Sequence, residues 1–143
     1  MRKIAKIIVH HTGVDTTLEK LRASVQRRGY SDIPYHFVIT ADGAVHATRP
    51  LERMGAHCKE HNADSIGVAL MGNLDKVPPT EAQVAALTRL LADLRRKWDV
   101  PVVGHGDLRP TACPGRYLRP VLDAIRYTPA QVREHGEVRQ SGL

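Results

Sequence analysis

Two histidines of this chain lie where the backbone leaves an expected strand, and a cysteine follows the second of them at a short distance. His10 follows the apolar run of residues 4–9. His105 follows a short apolar run, and Cys113 lies eight residues farther along the chain. Ligand sites in α/β proteins form at the ends of strands. Two imidazoles and one thiolate suit zinc, and three protein ligands with a fourth position open are typical of a catalytic zinc site.

The same residues also fit a purely structural interpretation. A histidine at the end of a strand is often only a hydrogen-bonded structural residue. A cysteine in a small protein often packs as a small apolar side chain. The separation of His105 and Cys113 is not a short metal-binding signature of the Cys-x-x-Cys kind. Spacing alone therefore leaves both interpretations open.

The elements that would position these residues alternate between strands and helices. A β-branched run stopped by Gly13 predicts a buried first strand. Asp42-Gly43 between two β-type runs predicts a hairpin. The expected strands are residues 4–9, 35–40, 44–48, 65–71 and 100–104.

Helix signals lie between these strands. Thr16-x-x-Glu19 and Thr80-x-x-Gln83 are capping boxes, and the leucines that follow the second box at helical spacing predict an amphipathic helix. A last helix is expected to begin near Pro120, after an irregular loop. Together the elements predict one α/β domain with a central mixed β-sheet flanked by helices.

The length of the chain, 143 residues, fits a single domain at about 100–200 residues per domain. We expect that domain to span residues 1–127 and a polar tail to span 128–143. Two cysteines are too few for a disulfide framework, and no apolar run approaches the ~20 residues that span a bilayer. The first apolar run is too short for the core of a signal peptide. We therefore expect the chain to be made in the cytoplasm with its thiols reduced.

The chain is basic, with 21 Lys and Arg against 15 Asp and Glu and a net charge of +6. Excess positive charge predicts an anionic partner: nucleic acid, an acidic membrane surface or an acidic polymer such as bacterial cell wall. The basic residues are spread along the chain, and only one Phe and one Trp are available to stack on bases. We therefore expect no nucleic acid partner.

Four blocks of the sequence, in one order along the chain, resemble a known enzyme family. Together they are similar to the zinc-dependent N-acetylmuramoyl-L-alanine amidases, which include amidase-type bacteriophage lysozymes and the animal peptidoglycan recognition proteins. The resemblance implies the fold of that family. It also implies hydrolysis of the amide bond between N-acetylmuramic acid and L-alanine in bacterial peptidoglycan. The blocks are residues 7–12, 35–43, 62–68 and 104–115.

Matched position by position, the resemblance assigns the ligands of one Zn²⁺ per chain to His10, His105 and Cys113. Tyr35 matches the family's active-site tyrosine, whose phenol is suited to donating a hydrogen bond to water or to an oxyanion. Thr111 stands where catalytic peptidoglycan recognition proteins carry threonine and phage lysozymes carry a catalytic lysine. Tyr35 and Thr111 are thus the expected catalytic residues, and no mechanism that needs a lysine at position 111 is implied.

Two further residues are expected near the substrate. His57 lies where similar sequences often place a histidine beside the substrate groove, although the sequence fits an exposed loop histidine equally well. Many relatives carry arginine directly after the second ligand histidine, where this chain has Gly106. Arg109, three residues farther on, could supply that positive charge.

The resemblance favours a lytic amidase of the phage or prophage endolysin type, a monomer that acts on peptidoglycan in the cell wall after its release. One alternative is a cytosolic amidase that recycles soluble muropeptides, but relatives of that kind tend to carry aspartate where this chain has Cys113. The other is a non-catalytic peptidoglycan-binding protein, and such members typically lack the cysteine. Some phage lysozymes of the family also bind a phage RNA polymerase, a partner on which the sequence does not decide.

Overall fold

The computed structural model describes residues 1–125, so most of the predicted domain is described. The predicted tail, 128–143, and the predicted boundary at residue 127 lie outside the described residues. In chain order the elements are β1 (Lys6–His11), α1 (Leu18–Arg27), β2 (Phe37–Ile39), β3 (Val45–Ala47), a 3₁₀ turn (Asn62–Asp64), β4 (Ser65–Leu70), α2 (Glu81–Lys97), β5 (Val102–Gly104), α3 (His105–Leu108) and α4 (Arg119–Ile125).

The strands form a five-stranded mixed sheet in the order β3-β2-β4-β1-β5. Strands β2, β4, β1 and β5 run parallel, while β3 returns antiparallel to β2 through the predicted hairpin. Gly43 in that hairpin has a φ of +86°, the left-handed conformation that glycine adopts without strain. The predicted mixed sheet and all five predicted strands are confirmed.

The two faces of the sheet are buried by different helices. Leu87, Leu91 and Leu94 of α2 join the larger core cluster together with Ile7 and Val9 of β1. On the other side, Leu21 and Val25 of α1 pack with residues of β2 and its flanking loop. Because side chains alternate along a strand, burying Ile7 and Val9 under α2 turns His10 toward the opposite face.

The helix signals in the sequence were partly right. The capping box of α2 is confirmed, with Thr80 and Gln83 exchanging side-chain and backbone hydrogen bonds at 3.0 and 3.1 Å. The predicted box at Thr16 is wrong, because Thr17 caps α1 and accepts a hydrogen bond from the backbone N–H of Lys20. A lysine carries no acceptor, so the reciprocal half of a box cannot form there.

No helix within residues 1–125 combines the length and the apolar character needed to cross a membrane.

Candidate active site

His10 and His105 lie close together because they stand at the carboxyl ends of β1 and β5, which are neighbouring parallel strands. Val9 of β1 pairs with Gly104 of β5, so the next residue of each strand emerges beside the other. The two imidazole rings lie 4.6 Å apart between centroids. The topology thus brings together two histidines that are 95 positions apart in the sequence, as the strand-end prediction requires.

A short helix holds His105 in place. The loop expected after β5 is helical over its first four residues, α3, and His105 is the first of them. A carboxylate oxygen of Asp107 accepts a hydrogen bond of 2.8 Å from the backbone N–H of Gly104. This contact satisfies one of the free N–H groups at the start of the helix. Asp107 therefore caps the start of α3.

The loop after α3 brings Cys113 to the two histidines. Its Sγ lies 3.6 Å from Nδ1 of His10 and accepts a hydrogen bond of 3.4 Å from the backbone N–H of His11. Thr111 Oγ1 accepts a bond of 3.2 Å from the N–H of Cys113. Arg119 of α4 donates to the carbonyl of Thr111 at 3.0 Å. The His11 N–H therefore holds the thiol directly, while Thr111 and Arg119 hold the loop that carries it.

The geometry of these three side chains fits a zinc ion. One ligand atom from each of His10, His105 and Cys113 lies within 4.8 Å of the other two. Within residues 1–125 no other group of three metal-ligating side chains comes this close. A nitrogen at about 2.0 Å and a sulfur at about 2.3 Å from a tetrahedral zinc lie about 3.5 Å apart. The separation between Nδ1 of His10 and Sγ of Cys113 is close to this, at 3.6 Å.

One buried atom supports the same conclusion. Nδ1 of His105 is buried and has no hydrogen-bond partner among the residues that the structure describes. A buried polar atom left without a partner costs about 1–3 kcal/mol. A metal ion would satisfy it, whereas a purely structural histidine would be hydrogen-bonded at both nitrogens.

The protonation states of the three side chains also suit a cation. Burial lowers the pKa of His10 well below its ordinary value and lowers that of His105 as well. Both imidazoles are therefore neutral at neutral pH, which is the form that binds a metal. Burial raises the pKa of the Cys113 thiol to about 11, against the opposing effects of the His11 N–H and the Arg119 charge. This thiol becomes a thiolate at neutral pH only when a cation lies beside it.

Tyr35 lies next to the three candidate ligands. Its ring centroid is 5.1 Å from that of His10, and the residue precedes β2, where Thr48 donates a hydrogen bond of 2.6 Å to its carbonyl. Burial, and then the nearby Cys113, raise the pKa of the Tyr35 phenol above its ordinary value. The phenol therefore keeps its proton at neutral pH and can donate a hydrogen bond.

His57 occupies a place that neither interpretation of the sequence anticipated. It is only 7% exposed, so the exposed-loop interpretation is wrong. Its Nδ1 lies 2.8 Å from Nε2 of His10, on the side of His10 away from Cys113. Burial, with the nearby His36 and His105, lowers the pKa of His57 to about 3. A neutral His57 thus contacts a candidate ligand, and contact of its ring with substrate stays a prediction.

The remaining predicted residues lie nearer the surface. Arg109 pairs with Glu60 at 2.8 Å between Nη1 and Oε1, and both side chains are partly or largely exposed. Its charge is therefore shared with a carboxylate that sequence reasoning did not single out. Thr111 is exposed, and its hydroxyl contacts the backbone of Cys113. Glu60 has a φ of +75°, and no spacing in the sequence marked it as a partner of Arg109.

The chain is similar to known proteins in both sequence and structure. Residues 1–116 match the family model described as N-acetylmuramoyl-L-alanine amidase. The chain is 35% identical over 128 residues to the endolysin of Klebsiella phage KP32, covering 82% of this chain and 85% of that protein. It is 34% identical to a peptidoglycan-recognition protein of Drosophila simulans, over 82% of this chain and 72% of that one. Among solved structures, N-acetylmuramoyl-L-alanine amidase LysC from Clostridium intestinale URNW superposes with a TM-score of 0.79 at 31% identity, covering 86% of this chain and 85% of that chain.

Proposed function

Because the chain belongs to the N-acetylmuramoyl-L-alanine amidase family, we propose that it hydrolyses the amide bond between N-acetylmuramic acid and the L-alanine of the stem peptide in peptidoglycan. We assign its zinc ligands to His10, His105 and Cys113. The observation that carries the assignment is their convergence within 4.8 Å where the parallel strands β1 and β5 end, with Tyr35 beside His10.

The donor set defines what this site can do. Three protein ligands, rather than four, are the number typical of catalytic zinc sites. Zinc held by His10, His105 and Cys113 would supply Lewis-acid activation of water and of the scissile carbonyl at neutral pH. Cys113 would bind it as a thiolate, and the two histidines would bind it in their neutral form.

The other residues orient the reacting groups. Tyr35 keeps its proton and lies beside His10, so its phenol donates a hydrogen bond to the oxygen on which negative charge develops. Thr111 holds the N–H of Cys113 and is a far weaker acid, so we assign it the positioning of the ligand loop. Arg109 and Glu60 lie at the rim of the site, where they could contact the charged groups of a stem peptide.

The similarity to a phage endolysin favours the bacterial cell wall as the place of action. The single α/β domain carries the whole proposed catalytic apparatus within residues 1–125. A net charge of +6 would hold the enzyme on an acidic polymer by charge attraction.

The decisive experiment is digestion of defined sacculi, followed by mass spectrometry of the products, with and without a zinc chelator. We expect release of peptides that begin with L-alanine, loss of that release after chelation, and its return when zinc is added back. Parallel digestion of soluble muropeptides separates the endolysin type from a recycling enzyme. Undiminished release from protein shown to be free of metal would contradict the zinc assignment. Binding to sacculi without any release would indicate a non-catalytic recognition protein.

The charge of the chain leads to a second prediction. The screening length falls from ~10 Å at 0.1 M salt to ~3 Å at 1 M. We therefore expect activity on sacculi to fall several-fold over this range, while activity on a soluble muropeptide changes little. Rates on the two substrates, measured in the same salt series, check this. Equal salt dependence for both would show that charge attraction to the polymer does not hold the enzyme there.

A further inference from the structure

Three buried polar side chains, one of them the candidate ligand His10, contact one another in a row. Ser65 and His10 are 0% and 1% exposed, and His57 between them is 7% exposed. The Ser65 hydroxyl lies 3.3 Å from Nε2 of His57, and Nδ1 of His57 lies 2.8 Å from Nε2 of His10. This row of contacts connects the start of β4 with the end of β1.

The direction of both hydrogen bonds in this row of side chains follows from the position of one proton, that of the Ser65 hydroxyl. The Ser65 hydroxyl has a single proton, and it is donated to the carbonyl of His61 at 2.6 Å. Toward His57 the serine oxygen can therefore only accept, so Nε2 of His57 carries a proton. A neutral imidazole has one N–H, which leaves Nδ1 of His57 as an acceptor. His10 must then donate from Nε2.

From this direction we propose that His57 and Ser65 are positioning residues that fix the tautomer of His10. With the proton of His10 held on Nε2, the lone pair of Nδ1 is free, and Nδ1 is the atom that lies 3.6 Å from Sγ of Cys113. The inference rests on the proposed zinc site and adds to it the two residues that prepare one ligand before the ion binds. Ligand histidines are commonly oriented by an acceptor at their second nitrogen. Here that acceptor is another imidazole, itself oriented by a serine.

Two glycines and an asparagine define the space that holds the His57 ring. A Cβ added to Gly55 would come within 2.5 Å of Cδ2 of His57, and one added to Gly67 within 2.6 Å of the same atom. Both glycines therefore make room for the imidazole. The Asn62 side-chain oxygen accepts hydrogen bonds of 2.9 Å from the N–H groups of both His57 and Cys58. This contact fixes the backbone from which the ring projects.

The first test uses the wild-type protein without metal. Long-range ¹⁵N–¹H correlation spectra of the histidine rings distinguish the two neutral tautomers. We expect His10 and His57 both to carry their proton on Nε2. A proton on Nδ1 of His10 in the folded, metal-free protein would overturn the proposal. This measurement needs no variant and no catalytic turnover.

The second test compares two variants of nearly equal shape. His57→Asn keeps an oxygen close to the position of Nδ1, whereas His57→Leu has no acceptor. We expect His57→Leu to bind zinc about 10- to 100-fold more weakly than wild type, the usual effect of removing a group that orients a ligand. His57→Asn should recover most of that affinity. Competition with a chromophoric chelator at fixed pH measures both.

The remaining outcomes separate this inference from the proposed function. Equal losses in the two variants would mean that His57 acts through packing alone, and unchanged affinity in His57→Leu would mean that it has no role in zinc binding; either result overturns the proposal. Ser65→Ala should weaken zinc binding in the wild type and have no further effect in His57→Leu. Zinc bound with the expected tautomers but without amidase activity would count against the proposed reaction and leave the positioning role supported.

Discussion

Replacing Cys113 by alanine is expected to remove both zinc and amidase activity. In the proposed site the Cys113 thiolate is one of three ligands and the only anionic one, so its loss would leave two neutral imidazoles. A bound zinc ion would contribute several kcal/mol of transition-state stabilisation, and ~1.4 kcal/mol corresponds to a factor of ten in rate. We therefore expect a loss of roughly 10³-fold or more in kcat/KM, with less than one zinc per chain by elemental analysis.

The other cysteine provides the matched control. Cys58 is buried, free and outside the cluster of ligands. Cys58→Ala should retain zinc and near wild-type activity, with at most a modest loss of stability. Cys113→Asp restores an anionic oxygen ligand and should recover part of the zinc binding. Full activity of metal-free Cys113→Ala would rule out the proposed mechanism.

Replacing Tyr35 by phenylalanine is expected to separate catalysis from metal binding. The substitution removes only the hydroxyl and keeps the ring that packs beside His10 and the cluster formed with α1. Loss of one hydrogen bond to the developing oxyanion typically lowers kcat by about 10²- to 10³-fold. We expect a fall of that size in kcat, little change in KM, and one zinc per chain.

Steady-state kinetics on a soluble muropeptide, together with zinc analysis of the same preparation, check the Tyr35 prediction. Tyr30, which is 48% exposed, offers a control, and Tyr30→Phe should behave as wild type. Loss of zinc from Tyr35→Phe would mean that the tyrosine supports the metal ligands rather than the reaction. An unchanged kcat would remove Tyr35 from the mechanism.

Much of the fold was predictable because its signals are local. The β-branched runs, the Asp42-Gly43 turn and the α2 capping box each act over a few neighbouring residues, and all are confirmed. The errors were local as well. Thr16 and Thr17 are both good cap residues, and the choice between them depends on how α1 docks on the sheet. The helical turn at His105 was missed because four residues carry no periodicity.

The candidate site was predictable only in part. The convergence of His10, His105 and Cys113 agrees with the ligand set that the resemblance implied. The sequence placed His57 beside the substrate groove or in an exposed loop; the residue is buried rather than exposed, and it lies against His10. Ser65, which the sequence did not mark as part of the site, contacts His57 and through it reaches His10.

The sequence by itself indicated the family and the residue types of the proposed zinc ligands, because four blocks of residues match that family in one order along the chain. Only the tertiary structure decided which nitrogen of His10 faces Cys113 and which one contacts His57. The contact of His10 with His57 joins residues 47 positions apart. It exists because β1 and β4 pair in one register and because Gly67, which has no side chain, leaves space for the His57 ring against β4. Hydrogen-bond direction depends on such packing, and packing between distant segments leaves no periodic trace in a single sequence.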